Sequence, residues 1–158
     1  MTISTETTTT APVVAWPAPI KSFDVHVYWL PSSKAQYEEA MALKAKAEKL
    51  FPQLSHGMMW DGPSGPHPYN MFEIDIYNAI DFATFVPWMI LNHGNLSVLI
   101  HPQAGNDVRD HTFHAMWLGQ PVPLDMGLLE AFDARMAAEA AAATAAAAAT
   151  EGVAAVSL

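Results

Sequence analysis

The sequence contains no cysteine, so neither a disulfide nor a thiolate metal ligand is available to this protein. Any metal site must therefore use imidazole and oxygen ligands, and the absence of cysteine fits a cytoplasmic protein. Basic residues are also scarce, because 7 Lys and Arg stand against 16 Asp and Glu and give a formal net charge of -9. The attraction that holds a nucleic-acid backbone is missing, so we expect no nucleic-acid partner.

Long hydrophobic runs and a secretory signal are missing as well. The first residues, MTISTETTTTAPVVAWPAPIKS, lack the basic region and apolar run that a signal peptide requires. No stretch of about 18 apolar residues free of charge and proline precedes the alanine-rich end of the chain. We therefore predict a soluble, cytoplasmic protein with no membrane partner.

The chain has the size and composition of one domain with its own core, at 158 residues of which 51% are hydrophobic. Residues 1–21 are rich in Thr and Pro and are predicted to form a flexible leader. Residues 134–158 are rich in alanine, which favours helix but offers little surface to bury, so a frayed helix or disordered tail is predicted. The folded domain is expected at residues 22–133.

The pattern of apolar residues predicts the elements of this domain. Three segments alternate as half-buried strands do: residues 23–30, 70–77 and 96–101. Two shorter segments are further candidate strands: residues 55–61 and 114–118. Two segments have the spacing of amphipathic helices: residues 33–51, which begin with capping-box spacing, and residues 78–94. In the second helix Asn78 is a candidate cap, Gly94 a stop, and Pro87 is expected to cause a kink or a break.

The order strand, helix, strand, strand, helix, strand predicts an α+β fold. It is the order of a ferredoxin-like plait, in which two helices cover one face of an antiparallel sheet. Val25, Val27 and Trp29 then face the helices, while alternate residues lie on the opposite face. That opposite face has five polar or aromatic members: His26, Tyr28, Glu73, Asp75 and His101.

Histidines are the main candidates for a functional site. HPQAGNDVRDHTFH, residues 101–114, places three of them around one short polar turn: His101, His111 and His114. Neutral imidazole is a common protein ligand for Fe, Zn, Ni and Cu, so this loop is a candidate wall of a metal site. His26 lies within the first strand, and His67 lies between prolines in GPSGPHPY. His26 also has a structural interpretation as a hydrogen-bonded strand histidine, and His67 as part of a tight turn.

Acidic residues extend the possibilities. Asp110 could orient the ring of a neighbouring histidine. Glu73 and Asp75 are most simply explained as polar residues on a solvated strand face, but if they line a pocket, one of them could complete a site of two histidines and one carboxylate for non-haem iron. His56 is interpreted as a surface residue, and His93 as a residue at a helix C-terminus, where its charge suits the helix dipole.

Four separated motifs together resemble the DOPA 4,5-dioxygenase family of small fungal and bacterial extradiol dioxygenases. They are DVHVYW, GPHPYNMFEIDI, PWMILNHGNLSVLIHP and DHTFHAMWLGQPVPLD, and the resemblance runs from about Phe23 to about Leu128. It implies a ferredoxin-like fold, a non-haem Fe(II) and ring opening of a catechol by O2. With L-DOPA as substrate, 4,5 cleavage would yield seco-DOPA. The matching histidines are His26, His67, His101, His111 and His114, whereas His56 and His93 fall outside the pattern.

Spacing does not decide which three of the five matching histidines bind the metal. We predict His26, His101 and His114 as the Fe(II) ligands. His67 and His111 are then predicted as acid/base groups, and Tyr28 as a hydrogen-bonding partner of a bound oxygen species.

Two alternatives to this enzyme stay open. The chain could be a ferredoxin-like protein that binds a metal or small ligand without catalysis, or a structural plait that dimerises through its open sheet face. A homo-oligomer, in particular a dimer, is expected in any case because Tyr28, Met71 and Leu99 make that face partly apolar.

Overall fold

Five strands and four helices follow one another in the part of the chain that the computed structural model describes, residues 16–155, with side chains described as far as residue 146. The strands are β1 (Phe23–Trp29), β2 (Ser55–Trp60), β3 (Asn70–Ile76), β4 (Ser97–Pro102) and β5 (Met116–Leu118). The helices are α1 (Lys34–Leu50), α2 (Ala79–Asn92), α3 (Asp107–Asp110) and α4 (Met126–Ala155). The sequence pattern did not predict α3.

The strands form one antiparallel sheet in the order β2-β3-β1-β4-β5. The first four strands with α1 and α2 have the element order and strand pairing of the predicted plait, so the ferredoxin-like α+β fold is confirmed. β1 lies at the centre, between β3 and β4, and β5 adds an edge strand beside β4. Side chains of β1 therefore have neighbours on both sides.

The main core lies between the sheet and the helices α1 and α2. Ser33 and Asn78 cap these helices by accepting the backbone N–H of Gln36 and Asp81. The buried sheet residues of this core are those that the alternation assigned to the helix side, including Val25, Val27, Ile74 and Val98. α2 continues through Pro87, so the predicted break does not occur. The buried flanks of the proline, from Phe85 to Met89, hold the helix in place despite the lost backbone hydrogen bond.

The opposite face of the sheet is covered by the chain itself at one end. Tyr28, Met71 and Leu99 are buried there with Val122, and Trp60 and Trp117 pack around them. The apolar surface that suggested dimerisation is therefore not exposed, because the connections around β5 and before β3 lie over it. The homo-oligomer stays a prediction without this argument.

Packing contacts and a helix extend beyond the two ends of the predicted domain. Within the predicted leader, residues 1–15 lie outside the described part of the chain, but Trp16 packs on Phe23 and Phe82 with ring centroids 5.0 and 5.6 Å apart. At the other end, α4 begins at Met126 and continues through the predicted boundary at residue 133, because alanine supports the helix that the preceding apolar residues start. In the described residues, no helix combines the length and apolarity needed to cross a membrane.

Candidate metal centre

Three neighbouring strands place polar side chains together on the face of the sheet that α1 and α2 do not cover. In β1, Asp24 lies opposite His101 of β4 on one side and Asp75 of β3 on the other. His26, two residues further along β1, lies opposite Glu73. Because directly opposite residues have Cβ atoms about 5 Å apart, this register assembles carboxylates and imidazoles into one patch.

Two connections bring further imidazoles to this patch. Backbone hydrogen bonds between Ser64 and His67, at 3.0 and 3.1 Å, close the turn that carries His67. The short helix α3 is capped by Asn106, which accepts the N–H of Arg109, and His111 follows its last residue. The proline-flanked loop and the turn after β4 thus deliver one histidine each.

Four imidazole rings form a buried cluster: His26, His67, His101 and His111. His26 Nε2 and His101 Nε2 are 3.0 Å apart. The ring centroids of His26 and His67 are 4.2 Å apart, and those of His101 and His111 are 3.9 Å apart. The predicted convergence of imidazoles from distant parts of the chain is therefore present in the structure.

Backbone carbonyls determine which nitrogen carries the proton in two of the rings. His101 Nδ1 lies 3.1 Å from the Pro102 oxygen, and His111 Nδ1 lies 2.9 Å from the Asp107 oxygen. A carbonyl can only accept, so in both rings Nδ1 must be the donor. The neutral rings consequently carry a lone pair on Nε2, the nitrogen that is free to bind a metal or accept a proton.

This assignment leaves His26 with an unsatisfied atom. If His101 Nε2 carries a lone pair, His26 Nε2 must donate the proton of their 3.0 Å contact. His26 Nδ1 is then a buried lone pair, and it has no hydrogen-bond partner among the described residues. A cation beside the two Nε2 atoms would allow both to act as ligands, and His26 Nδ1 would then hold the proton, still without a partner among the described residues. The residues present fit a metal ion because the ligand atoms of Asp24, His26 and His101 lie within 4.8 Å of one another.

Burial keeps the four imidazoles neutral near pH 7. It is the largest cause that lowers the pKa of His67 to about 3 and the pKa of His26 well below its usual value. Burial likewise lowers the pKa of His101 and of His111. Neutral imidazole is the form that binds metals, so no proton has to be removed from these rings before an ion enters.

The pKa values of two carboxyl groups in the patch, Asp24 and Glu73, are shifted upward. Burial raises the pKa of Asp24 to about 6, and the amide of Gln103, which donates to Asp24, opposes this rise. Burial and then the neighbouring Asp75 raise the pKa of Glu73 to about 8. Asp24 therefore lies in the site as a buried carboxylate whose one side-chain hydrogen-bond partner in the described residues is neutral.

Three groups of residues place their ligand atoms within 4.8 Å of one another in the described part of the chain: His26, His67 and His111; Asp24, His26 and His101; and Asp24, Glu73 and Asp75. His26 belongs to two of these groups, so distance alone leaves two imidazole-containing sets. Asp24 is a candidate ligand that the sequence interpretation did not consider, although its position two residues before His26 in a strand places it on the same face.

The structure does not bring the predicted ligand His114 to the cluster. Its Nδ1 lies 2.8 Å from Asp110 Oδ1, and 38% of its side chain is exposed. Asp110 thus orients a ring, as predicted, but that ring is His114. The predicted set of His26, His101 and His114 is therefore assembled only in part, because the turn after α3 directs His111 inward and leaves His114 at the surface.

Tyr28 contacts the imidazole cluster, whereas the two remaining histidines, His56 and His93, do not. The Tyr28 hydroxyl is 2.7 Å from His67 Nδ1, and burial raises the pKa of Tyr28, which keeps the phenol protonated. His56 Nε2 contacts the carbonyl of Phe51, and His93, the C-cap of α2, contacts the carbonyl of Leu96. Both of these histidines bond to local backbone and lie outside the cluster.

A cavity of about 820 Å³ opens over the imidazole cluster. All four clustered rings line it, together with Asp24, Glu73, Met71, Lys21 and Gln103. Five further lining residues come from the first turns of α4: Leu128, Leu129, Phe132, Asp133 and Met136. This volume suits a small organic ligand. The alanine-rich composition that follows gave no sign that α4 would line a site.

Comparisons with known proteins identify similar sequences. A statistical description of the Dopa 4,5-dioxygenase family matches residues 23–128. The chain is similar to an uncharacterised 21.2 kDa protein of Botryotinia fuckeliana, with 36% identity over 124 residues, 74% of this chain and 68% of that protein. It is also similar to the DOPA 4,5-dioxygenase of Amanita muscaria, with 29% identity over 115 residues, 70% of this chain and 50% of that protein.

A solved structure shares the fold. The crystal structure of a candidate dioxygenase from Nostoc punctiforme superposes with a TM-score of 0.62 and 30% sequence identity, and the match covers 72% of this chain and 94% of that one. The chain thus covers nearly all of the Nostoc protein but half the length of the Amanita one.

Proposed function

This chain belongs to the Dopa 4,5-dioxygenase family, and from that premise we propose that it is an extradiol dioxygenase that opens the ring of a catechol such as L-DOPA with Fe(II) and O2. The observation that carries the proposal is the meeting of Asp24, His26 and His101 beneath a cavity of about 820 Å³. The name of the Amanita relative, a DOPA 4,5-dioxygenase, supports the choice of substrate.

We assign the ferrous ion to Asp24, His26 and His101. Two histidines and one carboxylate are the ligand set of many non-haem iron oxygenases, in which the remaining positions stay open. Two nitrogen ligands about 2.1 Å from one ion and about 90° apart are about 3 Å from each other. The 3.0 Å between His26 Nε2 and His101 Nε2 matches this separation. Asp24 takes the place that the sequence interpretation gave to His114.

The competing set of His26, His67 and His111 is disfavoured by hydrogen bonding and charge. His67 Nδ1 lies 2.7 Å from the Tyr28 hydroxyl, and we assign the phenol as the donor because its buried proton has no other acceptor in the described residues. Neutral His67 then carries its own proton on Nε2, where it is a donor and not a ligand. The competing set would also leave the carboxylate of Asp24 buried without a cation.

The bound ferrous ion would orient the catechol and dioxygen and let electron density pass from the ring to oxygen. His111 and His67 have complementary roles in moving protons. His111 Nε2 carries a lone pair because Nδ1 donates to the Asp107 carbonyl, so it can accept the proton of a catechol hydroxyl. His67 Nε2 carries a proton and can donate it to the reacting oxygen. Both oxygen atoms enter the product, so no external reductant is needed.

Iron content of purified variants tests the ligand assignment. We expect Asp24→Asn, His26→Ala and His101→Ala to lose stoichiometric iron. His67→Ala and His111→Ala should retain iron and lose about 10²- to 10⁴-fold in turnover, because each removes one proton-transfer group. His114→Ala is the matched control and should retain both. Iron retained in Asp24→Asn but lost in His67→Ala would replace the proposed set by His26, His67 and His111.

Oxygen consumption tests the activity itself. Protein loaded with Fe(II) without oxygen is mixed with a catechol and then with air, and O2 uptake is recorded together with the yellow absorbance of a ring-opened product. We expect one O2 consumed per catechol. Stoichiometric iron without O2 uptake across several catechols would favour the alternative of a non-catalytic metal-binding protein.

A further inference from the structure

Helix α4 contributes a wall of the cavity with residues that lie beyond the match to the family. That match ends at residue 128, whereas Leu129, Phe132, Asp133 and Met136 also line the cavity. Asp125 begins the helix by accepting the N–H of Leu128, and its own N–H donates to the Pro66 carbonyl, next to His67, at 2.8 Å. The start of α4 is thus fastened to one of the loops that form the site.

Asp133 fastens α4 to the other loop. Its Oδ1 accepts the backbone N–H of Asp107 at 3.2 Å, and its Oδ2 accepts that of Val108 at 3.1 Å. These are the first residues of α3, whose N–H groups have no partner within the helix. A half-buried carboxylate from a distant element therefore satisfies both donors and holds α3 in position.

The contact continues from α3 to the imidazole cluster. The Asp107 carbonyl accepts the backbone N–H of His111 at 3.0 Å and its Nδ1–H at 2.9 Å. The position of this one carbonyl therefore determines both the ring orientation of His111 and the nitrogen that keeps the proton. Asp133 accepts the backbone N–H of the same residue. Asp107 therefore connects α4, through its N–H, to the His111 ring, through its carbonyl.

We propose that Asp133 is a positioning residue for His111. Through Asp107 it holds the proton of His111 on Nδ1 and leaves the lone pair on Nε2, where it can accept a proton. α4 is accordingly part of the active site and not an appended tail. The consequence for catalysis rests on the proposed function, whereas the consequence for the tautomer of His111 does not.

The first test reads the tautomer of His111 in the metal-free protein, by long-range ¹H–¹⁵N NMR with the ring assigned through His111→Ala. We expect a single Nδ1–H tautomer in the wild type and in Glu130→Ala, which removes an exposed carboxylate from the same helix. Asp133→Ala should give a mixture of both tautomers. An unchanged single tautomer in Asp133→Ala would overturn the proposal.

The second test is a double-mutant cycle on turnover. Asp133→Ala should lower kcat about tenfold or more with KM nearly unchanged, since a small displacement of a catalytic group has effects of this size. In the His111→Ala background the same change should have no further effect on kcat, because the ring through which it acts is gone. An undiminished loss of kcat in that background would show that Asp133 acts elsewhere.

A conservative variant keeps both tests usable if Asp133→Ala does not fold. Asp133→Asn has one acceptor oxygen for two N–H donors, so we expect a tautomer ratio and a kcat between those of the wild type and Asp133→Ala. Wild-type values for both in Asp133→Asn would contradict the proposal. If no catechol is turned over by any variant, the proposed function fails, and the tautomer measurement decides this inference alone.

Discussion

Replacing Asp24 by asparagine should raise the free energy of unfolding of the metal-free protein. The same change should abolish the stabilisation that Fe(II) binding gives to the wild type. Asp24 is 6% exposed, and burial raises the pKa of its carboxyl from 3.8 to about 6. At pH 8 this rise corresponds to about 3 kcal/mol by which the folded state disfavours the charge relative to the unfolded chain. The amide of asparagine carries no charge and can still accept the hydrogen bond from Gln103. About 3 kcal/mol is therefore the upper size of the gain.

The gain in stability of Asp24→Asn should depend on pH and on bound metal. Because the folded-state pKa lies above the unfolded one, the destabilisation by Asp24 is complete above pH 6 and vanishes below pH 3.8. At pH 5 the gain should fall to about half. With Fe(II) at about a hundred times its dissociation constant, the wild type should gain about 2.7 kcal/mol, and Asp24→Asn should gain far less. Iron should thus narrow or reverse the difference in stability.

Urea unfolding without oxygen, followed by tryptophan fluorescence, measures these quantities. Each protein is unfolded at pH 8 and pH 5, with a chelator or with Fe(II). Asp61→Asn, which changes an exposed carboxylate in the same way, should leave the free energy of unfolding within about 0.5 kcal/mol of the wild type. The reasoning is refuted if metal-free Asp24→Asn is less stable than the wild type at pH 8, or if Fe(II) stabilises both proteins equally.

Three further changes test the core, a turn and the cavity wall. Phe85 is fully buried between α2 and the sheet, so Phe85→Ala should lower the free energy of unfolding by about 3–5 kcal/mol, whereas Phe113→Ala, at a residue that is 83% exposed, should change it by less than about 0.5. Gly119 has φ +73 and a Cβ there would lie 2.9 Å from the Leu96 carbonyl oxygen, so Gly119→Ala should destabilise by more than about 1 kcal/mol in the same assay. Phe132 lines the cavity and is 40% exposed, so Phe132→Ala should raise KM for the catechol severalfold with little loss of stability. An unchanged KM would show that the substrate does not reach α4.

Much of the fold and part of the site could be predicted because the relevant signals are local. A period of two along β1 places Val25 and Val27 on the opposite face from His26 in any sheet that buries the apolar side. The caps Ser33 and Asn78 act on N–H groups within the next turn, so their effect is also readable from neighbouring residues. The strands, the helices α1 and α2, and the shared face of His26 and His101 follow from such signals.

The sequence predicted only part of the side-chain cluster, because the membership of the cluster depends on strand register and on turns. Asp24 meets His101 because β1 and β4 pair in one register, which no local pattern specifies. His111 and His114 are close in sequence, yet α3 separates their directions and gives His114 to Asp110. Residue types indicated an imidazole-rich site, but they did not indicate which side chains would form it.

By itself, the sequence determined the layering of the fold, the family and the presence of imidazoles without thiolates, because periodicity, motif order and composition are properties of neighbouring residues. Only the tertiary structure decided that Asp24 joins His26 and His101, that His114 stays at the surface, and that α4 reaches the site through Asp133. These contacts join elements that are distant in the chain. They form only once the sheet register and the docking of α4 bring the side chains within a few ångströms of one another.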